Sequence, residues 1–118
     1  MSGKGPKREW RFYIADMIEF ARKVLLYTEG KSQADFLSDG LTYDATLRNL
    51  ELIGEAATRV PEDIKVDHSE VPWRKIIATR NRLIHAYLGI DDDIVWSIIQ
   101  DDIPGLLEQL EALHRLYS

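Results

Sequence analysis

Two side chains of this sequence stand out for chemistry on an anionic substrate. They lie five positions apart in the run Arg80-Asn81-Arg82-Leu83-Ile84-His85, with Tyr87 two residues beyond. An imidazole titrates near neutrality and can take or give a proton. A guanidinium can grip two phosphate oxygens and stabilise charge as it builds. Asn81 adds an amide able to orient either a phosphate or the imidazole. On an ideal helix Asn81 and His85 share a face, and Arg80 and Tyr87 share a neighbouring one. Arg80 and His85 are then about 140° apart. They meet only through the length of the arginine, a loosened final turn or a second subunit. Spacing alone leaves another reading open, in which His85 is a satisfied, half-buried histidine and Arg80 partners one of many carboxylates.

The elements that must position these groups follow from the surrounding pattern. Trp73, Ile76, Ile77, Leu83, Ile84 and Leu88 recur at helical spacing. Pro72 suits a first helical turn, Gly89 a C-cap, and Asp91 the N-cap of a following helix. The pattern predicts one helix over 71–90. That stretch holds Arg74, Lys75, Arg80 and Arg82 and no acid, whereas the whole chain carries a net charge of −5. Binding nucleic acid by bulk electrostatics usually requires a basic protein, so any such contact here is local to this helix. For Arg74, Lys75 and Arg82 a solvated helix face is an equal reading.

Three further helical stretches are legible. Trp10, Ile14, Met17, Ile18, Ala21, Val24 and Leu25 form one stripe, giving a helix over 8–28 capped by Gly30. Ser32 and Asp35 are spaced as N-cap and first-turn acid of a short helix holding Phe36 and Leu37. A long helix covers 42–59, with Tyr43, Leu47, Leu50, Ile53 and Ala57 on one face and Pro61 as its stop. Gly54 inside it costs about 1 kcal/mol relative to Ala, which makes sense if another backbone must come close. Glu55 beside it could pair with Arg80, or be an ordinary exposed glutamate. Residues 61–70 read as a polar loop with room for one turn. The last stretch, 91–116, must be kinked or split at Pro104. No strand alternation is present. The expectation is an all-α fold, an antiparallel bundle of four long helices with short extra ones.

Composition bounds the rest. At 118 residues the chain supports one domain, expected over 8–118 behind a disordered tail at 1–7. No apolar run approaches the ~20 residues of a membrane span, and the basic start lacks the apolar core of a secretory signal. Zero cysteines exclude disulfides, cysteine-ligated zinc and thiol catalysis, and fit a cytoplasmic protein. His68, His85 and His114 lie too far apart in sequence to suggest metal ligation. His68 and His114 read as surface histidines, and nothing calls for a metal or another cofactor.

The motif resembles the Arg-x-x-x-x-His signature of HEPN domains, and Tyr87 extends it to the Arg-x4-His-x-Tyr form of HepT-like toxins. Asp44-Ala45, Arg48-Asn49-Leu50-Glu51 and Ile53-Gly54-Glu55-Ala56 are similar to that family's second signature, and Pro72-Trp73 and Trp96 also fit. The resemblance spans about residues 10–110. It implies a metal-independent endoribonuclease, the toxin of a two-gene toxin–antitoxin pair. Its RNA would be cut at a cleft shared by two copies of the chain, and a small nucleotidyltransferase of the MntA type would neutralise it. Carried over, Arg80 and His85 are catalytic, Asn81 supporting, and Tyr87 the tyrosine that receives AMP. Two readings compete with the enzyme: a non-catalytic helical dimer acting as a binding module, and a nucleotide-binding subunit for the nucleotidyltransferase.

Overall fold

The computed structural model describes residues 9–86 and 89–117. The expected tail at 1–7 and the expected modification site, Tyr87, therefore lie outside the described residues. Seven α-helices are described: α1 (Trp10–Thr28), α2 (Gln33–Ser38), α3 (Gly40–Thr58), α4 (Glu62–Asp67), α5 (Trp73–Ile84), α6 (Asp92–Ser97) and α7 (Ile103–Leu116). A π-helical turn, Ile98–Asp102, joins α6 to α7. No strand occurs among the described residues, and the fold is a helical bundle.

The local signals act as the sequence predicts at several junctions. Gly30 takes a left-handed φ of 72° after α1, and the Lys31 amide closes back on the Thr28 carbonyl at 3.1 Å. Ser32 and Asp35 form a reciprocal capping box at α2. A cap the sequence reading did not name, Asp39, starts α3, accepting from the Thr42 amide at 3.2 Å and the Thr42 hydroxyl at 2.8 Å. The Thr42 hydroxyl first, then its amide, holds the Asp39 carboxyl below the usual carboxylate range. Asp91 caps α6 through the Asp93 and Ile94 amides.

The bundle is built around α3, which packs against α1 on one side and α5 on another, while α1 also packs against α7. Arg22 meets Glu111 at 2.6 Å and Arg11 donates to the Tyr117 carbonyl at 2.8 Å, so α1 and α7 run antiparallel. Ile14, Met17, Val24, Phe36, Ile53, Ile99, Leu110 and Leu113 form the fully buried centre. The Phe36 ring sits 5.3 Å from that of Tyr43 and 5.4 Å from that of Trp96. Tyr43 reaches on to donate to Asp92 at 2.6 Å.

Four details differ from the sequence reading. First, α5 stops at Ile84, six residues short of the predicted end, and His85 is its C-cap. Gly89 adopts φ 104° beyond the helix rather than at its cap. Second, 61–70 contains α4, whose first turn carries Glu62 and Asp63 and whose last carries Lys65, the charge order that favours a helix. Third, the interruption of the last helical stretch lies upstream of Pro104. The Ile103 amide bonds to the Ile98 carbonyl, five residues back, and Pro104 falls in the first turn of α7, where its missing N–H is harmless. Fourth, His68 is buried, 8% exposed. Its Nε2 lies 2.8 Å from the Tyr117 hydroxyl, and its carbonyl accepts from the Trp73 indole at 3.0 Å.

Candidate active site

The crossing of α3 over α5 fixes Arg80. A Cβ on Gly54 would lie 2.2 Å from the Arg80 Cβ, 2.9 Å from its Cγ and 3.1 Å from the Ile76 carbonyl oxygen. Only glycine permits that approach. With the base of Arg80 pressed against α3, its guanidinium lies beside Glu55, the next residue on that helix. Nη2 donates to both carboxylate oxygens, at 3.0 and 3.2 Å. Nη1 donates to the Asn81 side-chain oxygen at 2.8 Å. The Nε atom is buried with no hydrogen-bond partner among the described residues. The arginine side chain is 26% exposed.

His85 occupies a different wall. Its backbone amide still closes the last turn of α5 on the Asn81 carbonyl at 3.1 Å, so the residue leaves the helix in near-helical register. The exposed side chain lines a cavity of about 530 Å³ together with Asn81, Gly89, Ile90, Asp91 and Ile94. Arg80 does not line it. Asn81 belongs to both places: its side-chain oxygen is committed to Arg80, and the residue borders the His85 cavity. Within one chain, then, Glu55, Arg80 and Asn81 come together, Asn81 and His85 come together, and Arg80 and His85 do not share a cavity.

The other basic residues of α5 have separate surroundings. Lys75 bonds Asp102 at 3.0 Å across the groove between α5 and the π turn, while Arg74 and Arg82 are exposed. Among the described residues no group of three or more His, Cys, Asp or Glu side chains could hold a metal ion. No helix of the described residues is long and apolar enough to cross a membrane.

A family model described as "Ribonuclease HepT-like" matches residues 17–113, which include every element of this site. The chain belongs to the HepT-like ribonuclease family. A protein of Thermococcus cleftensis named a probable ribonuclease HepT is 38% identical over 109 residues, 92% of this chain and 99% of that one. A candidate RNase of Methanocaldococcus jannaschii is 33% identical over 108 residues, covering 92% of this chain and 89% of its own. A third relative, a candidate RNase of Caldanaerobacter subterraneus, is 34% identical over 103 residues, 87% and 92% of the two chains. No solved structure matches the chain comparably. The HepT-like match spans α3 and α5 entire, so the Gly54 contact and the Arg80 pairings sit inside the region that defines the family.

Beyond the motif, the sequence reading missed that Asn81 joins the two halves of the site, and that the segment after α5, Gly89 to Asp91, forms the far wall of the His85 cavity. Of the first, only the face shared by Asn81 and His85 carries a periodic signal, and the second carries none. The first depends on a side-chain rotamer, and the second on how the chain turns back once α5 has ended.

Proposed function

We propose that this chain is a metal-independent endoribonuclease, acting in the cytoplasm as the toxin of a two-gene toxin–antitoxin pair. Family membership and relatives named as ribonucleases support the substrate class. The observation that carries the reading is the Glu55–Arg80–Asn81 chain of hydrogen bonds ending at the rim of the His85 cavity. It fixes a cation and links it, through an amide, to the cavity that the imidazole lines, three of the groups that transesterification at phosphorus uses.

In that reaction the RNA 2′-oxygen attacks the adjacent phosphorus while a base removes its proton. The 5′-oxygen leaves with a proton from an acid, and a 2′,3′-cyclic phosphate remains. One imidazole can fill either proton role. Two copies of the chain, each contributing Arg80 and His85 to a shared cleft, would supply acid, base and cation. Pairing also suits the separation of Arg80 from His85 within one chain. Asn81 supports the phosphate, and Glu55 supports Arg80. A nucleotidyltransferase partner would neutralise the toxin by attaching AMP to Tyr87, adding bulk and negative charge beside the phosphate site.

The test is RNA cleavage by the purified protein in EDTA, beside Arg80→Ala and His85→Ala variants with unchanged circular dichroism. Cleavage that survives chelation and disappears in both variants is the expected result. A folded, unmodified protein that cuts no cellular RNA pool would favour a non-catalytic binding module instead.

A further inference from the structure

An arginine has two edges able to hold a phosphate at two points, Nε–H with Nη2–H and Nη1–H with Nη2–H. Nη2 belongs to both. In this chain Nη2 is given to the two carboxylate oxygens of Glu55. Nε is buried, and Nη1 is given to Asn81. Burial closes the Nε edge, and Glu55 on Nη2 closes the other, since Nη1 keeps one of its two hydrogens after donating to Asn81. The guanidinium that the proposed chemistry requires is already holding an anion, and that anion is part of the protein.

We propose that Glu55 is a resident competitor for the phosphate site: RNA engages Arg80 at two points only by displacing the Glu55 carboxylate from Nη2. This rests on the ribonuclease reading for the identity of the incoming phosphate, but not for the competition itself. The displacement is physically accessible. Glu55 is only part-buried, its side chain 39% exposed, so the freed carboxylate can return to water. Asn81 then keeps its hold on Nη1 and preserves the direction of the guanidinium. A phosphodiester carries one charge over two free oxygens, as a carboxylate does, and fits the same fork. Glu55 thus has two effects of opposite sign. It keeps the arginine from wandering in the free protein, and it weakens the first encounter with any anion.

The consequence separates binding from catalysis. Glu55→Gln keeps the length and one acceptor oxygen but removes the competing charge. Part-exposed ion pairs are weak, so the gain in affinity should be on the order of three- to fivefold. The probe is a 2′-O-methyl RNA oligonucleotide, which cannot be cleaved, followed by fluorescence anisotropy at fixed ionic strength. Glu55→Gln should bind it three- to fivefold more tightly than wild type, and the gain should vanish when Arg80 is also changed to Ala. Unchanged or weaker binding by Glu55→Gln, in a protein of unchanged circular dichroism, would overturn the competition and leave Glu55 as a positioning residue only.

A second measurement does not depend on RNA being the substrate. Inorganic pyrophosphate is titrated while the Arg80 guanidinium resonances are followed by NMR. Glu55→Gln should respond at lower pyrophosphate than wild type does. Equal responses, or none in either protein, would refute the proposal even if RNA cleavage is confirmed. A clear difference would uphold it even if cleavage fails.

Discussion

Replacing Gly54 by alanine should damage both stability and site geometry, and the structure gives the size of the effect. The added Cβ would stand 2.2 Å from the Arg80 Cβ, whereas ordinary contact begins at 3.4 Å. Relief therefore needs a displacement of 3.4 − 2.2 = 1.2 Å. The Arg80 Cβ is bound to its own backbone and the Ile76 carbonyl is backbone too, so rotamer changes cannot supply it. α5 itself must lift from α3. Overpacking of this kind costs about 1–3 kcal/mol, or more where nothing can yield. Against that, alanine returns about 1 kcal/mol of helix propensity. Lifting α5 by the same distance stretches the 3.0 Å contact between Arg80 and Glu55 beyond hydrogen-bonding range, a further loss of up to about 1 kcal/mol for a part-exposed pair. The net expectation is a destabilisation of up to about 3 kcal/mol, roughly 4 °C in Tm per kcal/mol for a domain of this size.

Urea unfolding, with the slope compared between variants, measures the first consequence, and RNA cleavage the second. Misplacing a charge-stabilising group by about 1 Å costs on the order of a hundredfold in rate. Gly105→Ala is the internal control. It lies in the first turn of α7, has ordinary φ, and its added Cβ would meet nothing within 4 Å. It should stabilise by a few tenths of a kcal/mol up to about 1. If Gly54→Ala proves as stable as Gly105→Ala and cleaves at the wild-type rate, then α5 does not depend on that close approach and the account of how Arg80 is placed is wrong.

Three further outcomes follow from particular contacts. Burial, then the hydrogen bond to Asp92, pushes the Tyr43 phenol up to about 12; a raised pKa contributes stability that is complete below the ordinary value of 10.0 and is lost as pH rises through about 12. Ultraviolet titration should show a late-ionising tyrosine, and Tyr43→Phe should remove it; a late phase unchanged by that substitution, or no late phase at all, would refute the environment described. Tyr117→Phe strips the buried His68 Nε2 of its 2.8 Å partner and should cost about 1–3 kcal/mol in urea unfolding, whereas a change within measurement error would mean that the end of α7 is not held there. Pro104→Ala should change stability by less than about 1 kcal/mol, because the proline already sits in a first turn; a gain near 3 kcal/mol, the scale of an interior helix proline, would show that the π turn is strain imposed by that residue.

The parts of the fold legible in the sequence are those decided by neighbours in the chain. The stripes of α1 and α3, the Gly30 and Asp91 caps and the Ser32 capping box each need only residues within a turn or two. Gly54 was legible as a close approach because an interior glycine has a propensity cost that packing must offset. The C-terminal end of α5 was not. Leu88 continues the apolar period past the true end, and nothing local distinguishes His85 as a cap from His85 as an interior residue. The burial of His68 was illegible for another reason: its partner Tyr117 is 49 positions away. The π turn was illegible too. Val95, Ile99 and Ile103 are buried at successive spacings of four, but so are Asn49, Ile53 and Ala57 in the uninterrupted α3, so the spacing does not mark the turn and Pro104 drew the break towards itself.

The same distinction accounts for the layout of the site. Arg80 is placed by the bundle, through Gly54 and Glu55 on α3. His85 is placed by the end of its own helix, and the hydrogen bond its backbone N–H donates to the Asn81 carbonyl closes the last turn. Ending the helix at Ile84 therefore does not swing His85 towards Arg80. The two groups stay apart, with Arg80 directed to α3 and His85 to the cavity before α6. Asn81 can bridge them only because it follows Arg80 directly and precedes His85 by one turn, which gives it contact with the first and a face shared with the second. Among the described residues the cation thus sits on the α3 side and the imidazole at the cavity rim, and the shared cleft proposed above is the arrangement that would bring the two together.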